Sequence, residues 1–205
     1  MPNSNLTRWA GLAYLLAGVS LIIQQLYALA APDPTTGGWV AVHTLGYFGL
    51  ALGLLGLPGI YAAQKEQVRR LGLVGFLLAF IGNALTGGPA FLNTYLVPVL
   101  TRQAPEVLAP TGPLFTGPAG LVILLSAVLV TLGFILFGIS ILRAGTLPRG
   151  AALLVILSSW FGLATAFSPL VFAIAGAVFG LASAWLGYAV WSGKRQMSPQ
   201  ANPAM

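Results

Sequence analysis

The sequence predicts an all-α membrane protein: a polytopic bundle of six transmembrane helices, both termini cytoplasmic, with one extracytoplasmic interfacial helix. Three observations predict it. The chain is 58% hydrophobic and 6% charged, with a mean hydropathy of +0.91. A soluble domain is about 25% charged, so this chain cannot cover a water-facing surface. Second, six apolar runs approach or exceed the roughly 20 residues a helix needs to cross a hydrocarbon core about 30 Å thick. Third, eight of the nine Lys and Arg residues share one parity: Arg8 before the first run, Lys65, Arg69 and Arg70 after the second, Arg143 and Arg149 after the fourth, Lys194 and Arg195 after the sixth. Only Arg102 breaks it. Cytoplasmic loops collect cations, which places both ends and these connections inside.

Residues 1–8 form a cytoplasmic tail, and one membrane domain covers 9–192, with spans at about 9–30, 39–62, 71–87, 117–142, 149–167 and 170–192. Lipid offers the backbone no hydrogen-bond partner, so each span must be helical. The first run has a second reading. Ala28-Leu29-Ala30 before Ala31-Pro32 resembles a signal-peptide cleavage site, although the apolar run exceeds the usual signal core of about 7–15 residues. Pro58-Gly59 should kink or end the second helix. Gly87-Gly88-Pro89 should break the third and open an outer segment, about 88–116. There Phe91, Leu92, Tyr95, Leu96, Val99 and Leu100 recur at helical spacing, as in a helix lying in the interface, apolar face down, that Pro98 kinks or ends. Ser168-Pro169 leaves almost no loop between the last two spans. Residues 193–205 read as a disordered cytoplasmic tail.

Laying residues 51–89 on 131–169 matches Leu52, Gly53, Arg69, Leu73, Leu77, Gly82, Ala84 and Pro89 with identical residues. A duplicated helical hairpin would give that offset. So would chance, in an alphabet rich in Leu, Ala and Gly.

Small residues recur on three spans: Gly46, Gly49, Gly53 and Gly56; Gly72, Gly75, Ala79 and Gly82; Gly176, Gly180, Ala184 and Gly187. At about 100° per residue each set covers a stripe roughly 80° wide. Apolar side chains gain little by leaving lipid for another helix, so close backbone approach must hold such helices together. The expectation is helix packing of glycine-zipper type. The other reading is a flat groove for a lipid tail, quinone or pigment.

Ionisable residues inside a membrane mark function, and the spans offer only His43. With Gln24, Gln25, Asn83, Thr86, Asn93 and Thr165 it falls in the outer half. These residues suggest either an outward-opening polar pocket for a neutral or lipidic ligand, or amides and hydroxyls that tie helices together. No span holds Asp, Glu, Lys or Arg, which argues against carboxylate proton relays and voltage sensing. With no Cys there is no disulfide, thiolate metal site or Fe–S cluster.

No metal-ligand cluster, paired carboxylates, G-x-S-x-G or phosphate loop is present, and Ser158-Ser159 lack a nearby base. The expectation is no catalytic residue, no metal, no enzyme and no required cofactor, a lipid, quinone or pigment being the possible exception. Expected partners are the bilayer and other membrane proteins, or further copies of the chain. The net charge of +6 reflects orientation rather than nucleic-acid binding. Two functions follow: an accessory or scaffold subunit of the bacterial inner membrane, or a protein that binds or transports a small neutral or lipidic ligand.

Overall fold

The computed structural model describes residues 4–164 and 168–193. They form α1 (Ser4–Ala28), α2 (Gly37–Ala62), α3 (Lys65–Phe91), a π-helical turn (Leu92–Leu96), α4 (Val97–Gln103), a 3-10 turn (Pro105–Leu108), α5 (Pro113–Thr116), α6 (Pro118–Ala144), α7 (Arg149–Ser158), α8 (Phe161–Ala164) and α9 (Pro169–Trp191). No strand occurs among the described residues. Five helices are long and apolar enough to cross a membrane: Asn5–Ala28, Gly37–Ala62, Arg70–Gln103, Pro118–Ala144 and Pro169–Trp191.

The helices close a ring. α1 lies between α2 and α9, α3 pairs with α6, α7 bridges α6 to α9, and α2 meets α3. Three antiparallel seams set the register. Along α1 and α2, Ala10 faces Gly59, Tyr14 faces Gly56, Ala17 faces Gly53, Ser20 faces Gly49 and Gln24 faces Gly46. Along α1 and α9, Gly11 meets Trp191, Gly18 meets Ala184, and Gln25 meets Gly176. Along α3 and α6, Gly75 meets Phe137, Ala79 meets Gly133, and Gly82 meets Val130. A Cβ on Gly75 would lie 2.5 Å from the Phe137 backbone nitrogen, and one on Gly82 2.6 Å from that of Val130. Only a missing side chain permits that approach. Phe134, Phe137, Leu57, Ile60 and Leu186, each at most 2% exposed, fill the ring's interior.

This antiparallel order gathers Arg8, Lys65, Arg70, Arg143 and Arg149 at one end, called here the basic end. Asp33, Arg102 and Glu106 lie at the opposite end.

Two expectations about helix ends are corrected. The third helix does not break at Gly87-Gly88-Pro89. It runs on through the π turn into α4, 34 residues from Arg70 to Gln103, or about 51 Å at 1.5 Å per residue. The segment expected to lie separately in the interface is therefore a continuation of α3. Pro89 removes one hydrogen bond, but the ladder resumes with the Leu92 N–H on the Gly88 and Pro89 carbonyls. In lipid, one lost bond costs less than a break that frees several groups. The π turn absorbs Pro98 in turn: the Val97 N–H reaches back to the Leu92 carbonyl, so the proline enters at the start of α4. Pro58 is likewise inside α2, which continues to Ala62.

The fifth apolar run, expected over 149–167, is interrupted within Arg149–Ala164, and residues 165–167 lie outside the described residues. α7 has 10 residues, about 15 Å, half a hydrocarbon core. The Ser158 hydroxyl donates to the Leu154 carbonyl at 2.5 Å and that of Ser159 to Ile156 at 3.1 Å. Such back-bonding competes with the helical ladder and bends it. The chain turns at Ser159-Trp160 before α8.

Candidate functional site

Of the outer-half polar residues, His43 is the centre around which others gather. Trp39 and His43 stand one turn apart on α2, so their rings share a face and stack at 3.8 Å between centroids. His43 is buried, 4% exposed. Its Nδ1 lies 2.9 Å from the Trp39 carbonyl. A carbonyl only accepts, so Nδ1 carries the proton and the neutral ring keeps its lone pair on Nε2. Tyr27 of α1 presents its edge to the same ring at 6.5 Å.

The π turn supplies the other wall. Widening one turn brings Thr94, 1% exposed, against α2. Its hydroxyl donates to the Ala90 carbonyl at 2.7 Å and lies 3.5 Å from the His43 carbonyl. The Asn93 carbonyl accepts the Trp39 indole N–H at 3.1 Å. Thr44 donates to the Tyr95 hydroxyl at 3.2 Å, and Tyr47 meets Phe91 and Tyr95 edge to face, those two rings being tilted against each other. π turns inside long helices are often found at functional sites.

A clasp closes this end. The Arg102 guanidinium donates to the Thr35 carbonyl at 2.7 Å, and the Thr35 N–H donates to the Asp33 carboxylate at 2.8 Å. The Thr35 bonds, backbone first, and the nearby Arg102 charge hold the exposed Asp33 carboxyl below its usual range. The one cation of opposite parity thus ties the α1–α2 connection to α4.

The five expected ligand residues do not converge. His43 stacks on Trp39, whose indole reaches the backbone carbonyl of Asn93 rather than its side-chain amide. Gln24 and Gln25 leave α1 on opposite flanks, Gln24 against Gly46 of α2 and Gln25 against Gly176 of α9. Gln25 is 3% exposed, and its Oε1 has no hydrogen-bond partner. Asn83 donates to the Ala79 carbonyl of its own helix at 2.9 Å, and Thr86 to Gly82 at 2.9 Å. Asn83 is ten residues, about 15 Å, down the helix from Asn93. Thr165 lies outside the described residues. Among the described residues no three of His, Cys, Asp and Glu come together as a metal would require.

Of the small-residue positions, Gly46, Gly49 and Gly56 are tight against α1, Gly75, Ala79 and Gly82 against α6, and Gly176, Gly180 and Gly187 against α1. Gly72 is buried on α3. Gly53 has only the Ala17 Cβ at 3.6 Å. The sequence reading passed over their partners Gly11, Gly18 and Gly133. Gly11 and Gly18 are a heptad apart, the spacing of one helix face. It also passed over Thr94, which no spacing rule marks, and the Trp39–His43 pair, which a four-residue step does.

Searches with protein-family models, against curated proteins and against solved structures find no match to this chain. Fold and composition define a class instead: an all-helical, multi-pass bundle with the composition of an integral membrane protein.

Proposed function

We propose that the protein is a non-catalytic accessory or scaffold component of the bacterial cytoplasmic membrane, packing there against other membrane proteins or against its own copies. The single observation that carries this reading is where the polar groups of the outer half end. His43, Asn83, Thr86 and Thr94 each bond the carbonyl four residues back on their own helical segment, so these groups are satisfied within the chain and need no ligand. The small-residue seams act within the chain as glycine zippers, and its outward surface is apolar, with Trp9 67%, Leu55 69% and Phe48 61% exposed. Cation parity supports six crossings with both termini and the basic end in the cytoplasm, α7 and α8 contributing to the fifth.

A second reading, a binding site for a neutral or lipidic ligand at the outer end, is favoured by two groups: the Nε2 lone pair of His43 and the partnerless Oε1 of Gln25. Native mass spectrometry of protein gently extracted from its own membrane separates the two. Stoichiometric protein partners or a homo-oligomer free of ligand support the scaffold. A chain that emerges alone with a reproducible small-molecule mass, lost in His43→Leu and Gln25→Leu without loss of thermal stability, overturns it in favour of the ligand site.

A further inference from the structure

The basic end contains a cleft of about 800 Å³ where the end of α2, the start of α3 and the end of α6 meet. Such a volume is within the range of about 300–1,000 Å³ typical of small-ligand sites. Lys65 and Arg70 reach it from α3 and Arg143 from α6, sequence neighbours in neither case, with Tyr61 and Gln67 beside them. The chain has three acidic residues in all, and Asp33 and Glu106 are at the opposite end. Glu66 is the acid at this end, exposed and 3.8 Å from Lys65. Among the described residues neither Arg70 nor Arg143 is in a salt bridge. Two guanidiniums therefore line one cleft that no carboxylate lines, Glu66 being exposed one turn before Arg70.

The wall of the cleft changes character with depth. Leu71 and Leu73 line it alongside the cations. From Leu73 the same face of α3 continues to Leu77, a turn further in, and both are exposed, 42% and 44%. The cleft thus offers positive charge at the level of headgroups and an apolar strip at the level of acyl chains. A soluble anion would use the first and not the second.

We propose that this cleft is a binding site for one anionic phospholipid, its phosphate held by Arg70, Arg143 and Lys65 and an acyl chain lying along Leu73 and Leu77. Basic recesses between membrane helices hold anionic headgroups in this manner. Arg guanidiniums suit phosphate because they donate two parallel hydrogen bonds.

The test uses the full-length chain, stripped of lipid in detergent and then given phosphatidylglycerol, phosphatidylcholine with the same acyl chains, or inorganic phosphate. Bound lipid is counted by native mass spectrometry. The expected result is one tightly retained phosphatidylglycerol, preferred over phosphatidylcholine and not displaced by millimolar phosphate. A lost charge-assisted hydrogen bond to the phosphate weakens binding about tenfold or more, so Arg70→Gln and Arg143→Gln should each cost about that factor. Arg143→Lys should restore most of the binding, and Arg149→Gln, a cation at the same end that does not line the cleft, should change nothing. Equal retention of the two lipids by the unaltered chain overturns the proposal without recourse to any variant. Displacement by phosphate alone identifies a soluble-anion site and overturns it too. So does an Arg149→Gln loss as large as that at Arg70, which would mean a diffuse attraction.

Discussion

Two glycines of α2, Gly53 and Gly56, give the sharpest test of the seams. They stand one turn apart on one stripe and gain the same helix propensity on replacement by Ala, about 0.8–1 kcal/mol. Their surroundings differ. A Cβ at Gly53 would meet only the Ala17 Cβ, at 3.6 Å, an ordinary contact. One at Gly56 would lie 2.6 Å from the Tyr14 backbone nitrogen and 2.8 Å from the Ala10 carbonyl oxygen. To restore the spacing seen at Gly53, α1 and α2 must part by about 1 Å, because the obstacle is backbone and no rotamer relieves it. Overpacking of this kind costs about 1–3 kcal/mol. Gly53→Ala should therefore stabilise by up to about 1 kcal/mol, and Gly56→Ala should destabilise by up to about 2 kcal/mol. The difference between the variants, about 1–3 kcal/mol, cancels propensity and isolates packing. For a chain of this size each kcal/mol moves Tm by about 2–4 °C. Thermal unfolding in detergent, followed by tryptophan fluorescence, should place Gly53→Ala at least about 2 °C above Gly56→Ala. Equal Tm values, or the reverse order, would refute the α1–α2 register.

Trp39→Phe keeps the stack on His43 but removes the indole donor from the Asn93 carbonyl, and should lower stability by about 1 kcal/mol, read in the same melts. Thr131→Val should cost about 1–3 kcal/mol, because it strips the Ser159 carbonyl of its hydroxyl partner; an unchanged Tm would mean the α7 break does not depend on α6. Arg102→Gln should leave stability within about 1 kcal/mol, since the residue is exposed, yet speed amide exchange in residues 29–36. The folded pKa of Asp33 is below its unfolded value of about 3.9, so its contribution is complete above that value and is lost as pH falls through the folded pKa. Asp33→Asn should flatten that acid limb, with a small loss at pH 7, where the contribution is complete, that vanishes in acid.

Composition and cation parity were enough to reveal an all-helical membrane chain, because both are set by the solvent rather than by packing. Helix ends were less legible. The rule that Gly-Gly-Pro ends a helix holds where water can take up freed backbone groups. At Gly87-Gly88-Pro89 that alternative is missing, and α3 continues into α4. Nor could the sequence give the seams' partners. A stripe on α2 says that something comes close, while Ala10, Tyr14, Ala17, Ser20 and Gln24 of α1 are known as the answer only from the register. The outer polar residues were read as one set because they share a depth. Depth fixes one coordinate, and Gln24 and Gln25, adjacent in the chain, diverge to α2 and α9 because successive residues are about 100° apart on a helix.

The break after Ser158 bears on the possible duplication as well. An offset of 80 residues lays Gly53 on Gly133 and α3 on the α7–α8 region. The first members, α2 and α6, are both long helices, but their glycines are used differently: Gly133 is tight against Ala79, whereas Gly53 has room. The second members diverge in form. Ala79 of α3 is in an unbroken helix, and the position matched to it is Ser159, where α7 ends. Ser159 is fully buried, and the Thr131 hydroxyl donates to its carbonyl at 3.2 Å. An interrupted backbone survives at membrane depth only where protein satisfies it, and here α6 does so. If the two hairpins share an origin, their second helices have since acquired different roles. α3, continued into α4, became the longest of the described helices and carries the π turn to His43. Its counterpart became the short bridge that closes the ring between α6 and α9.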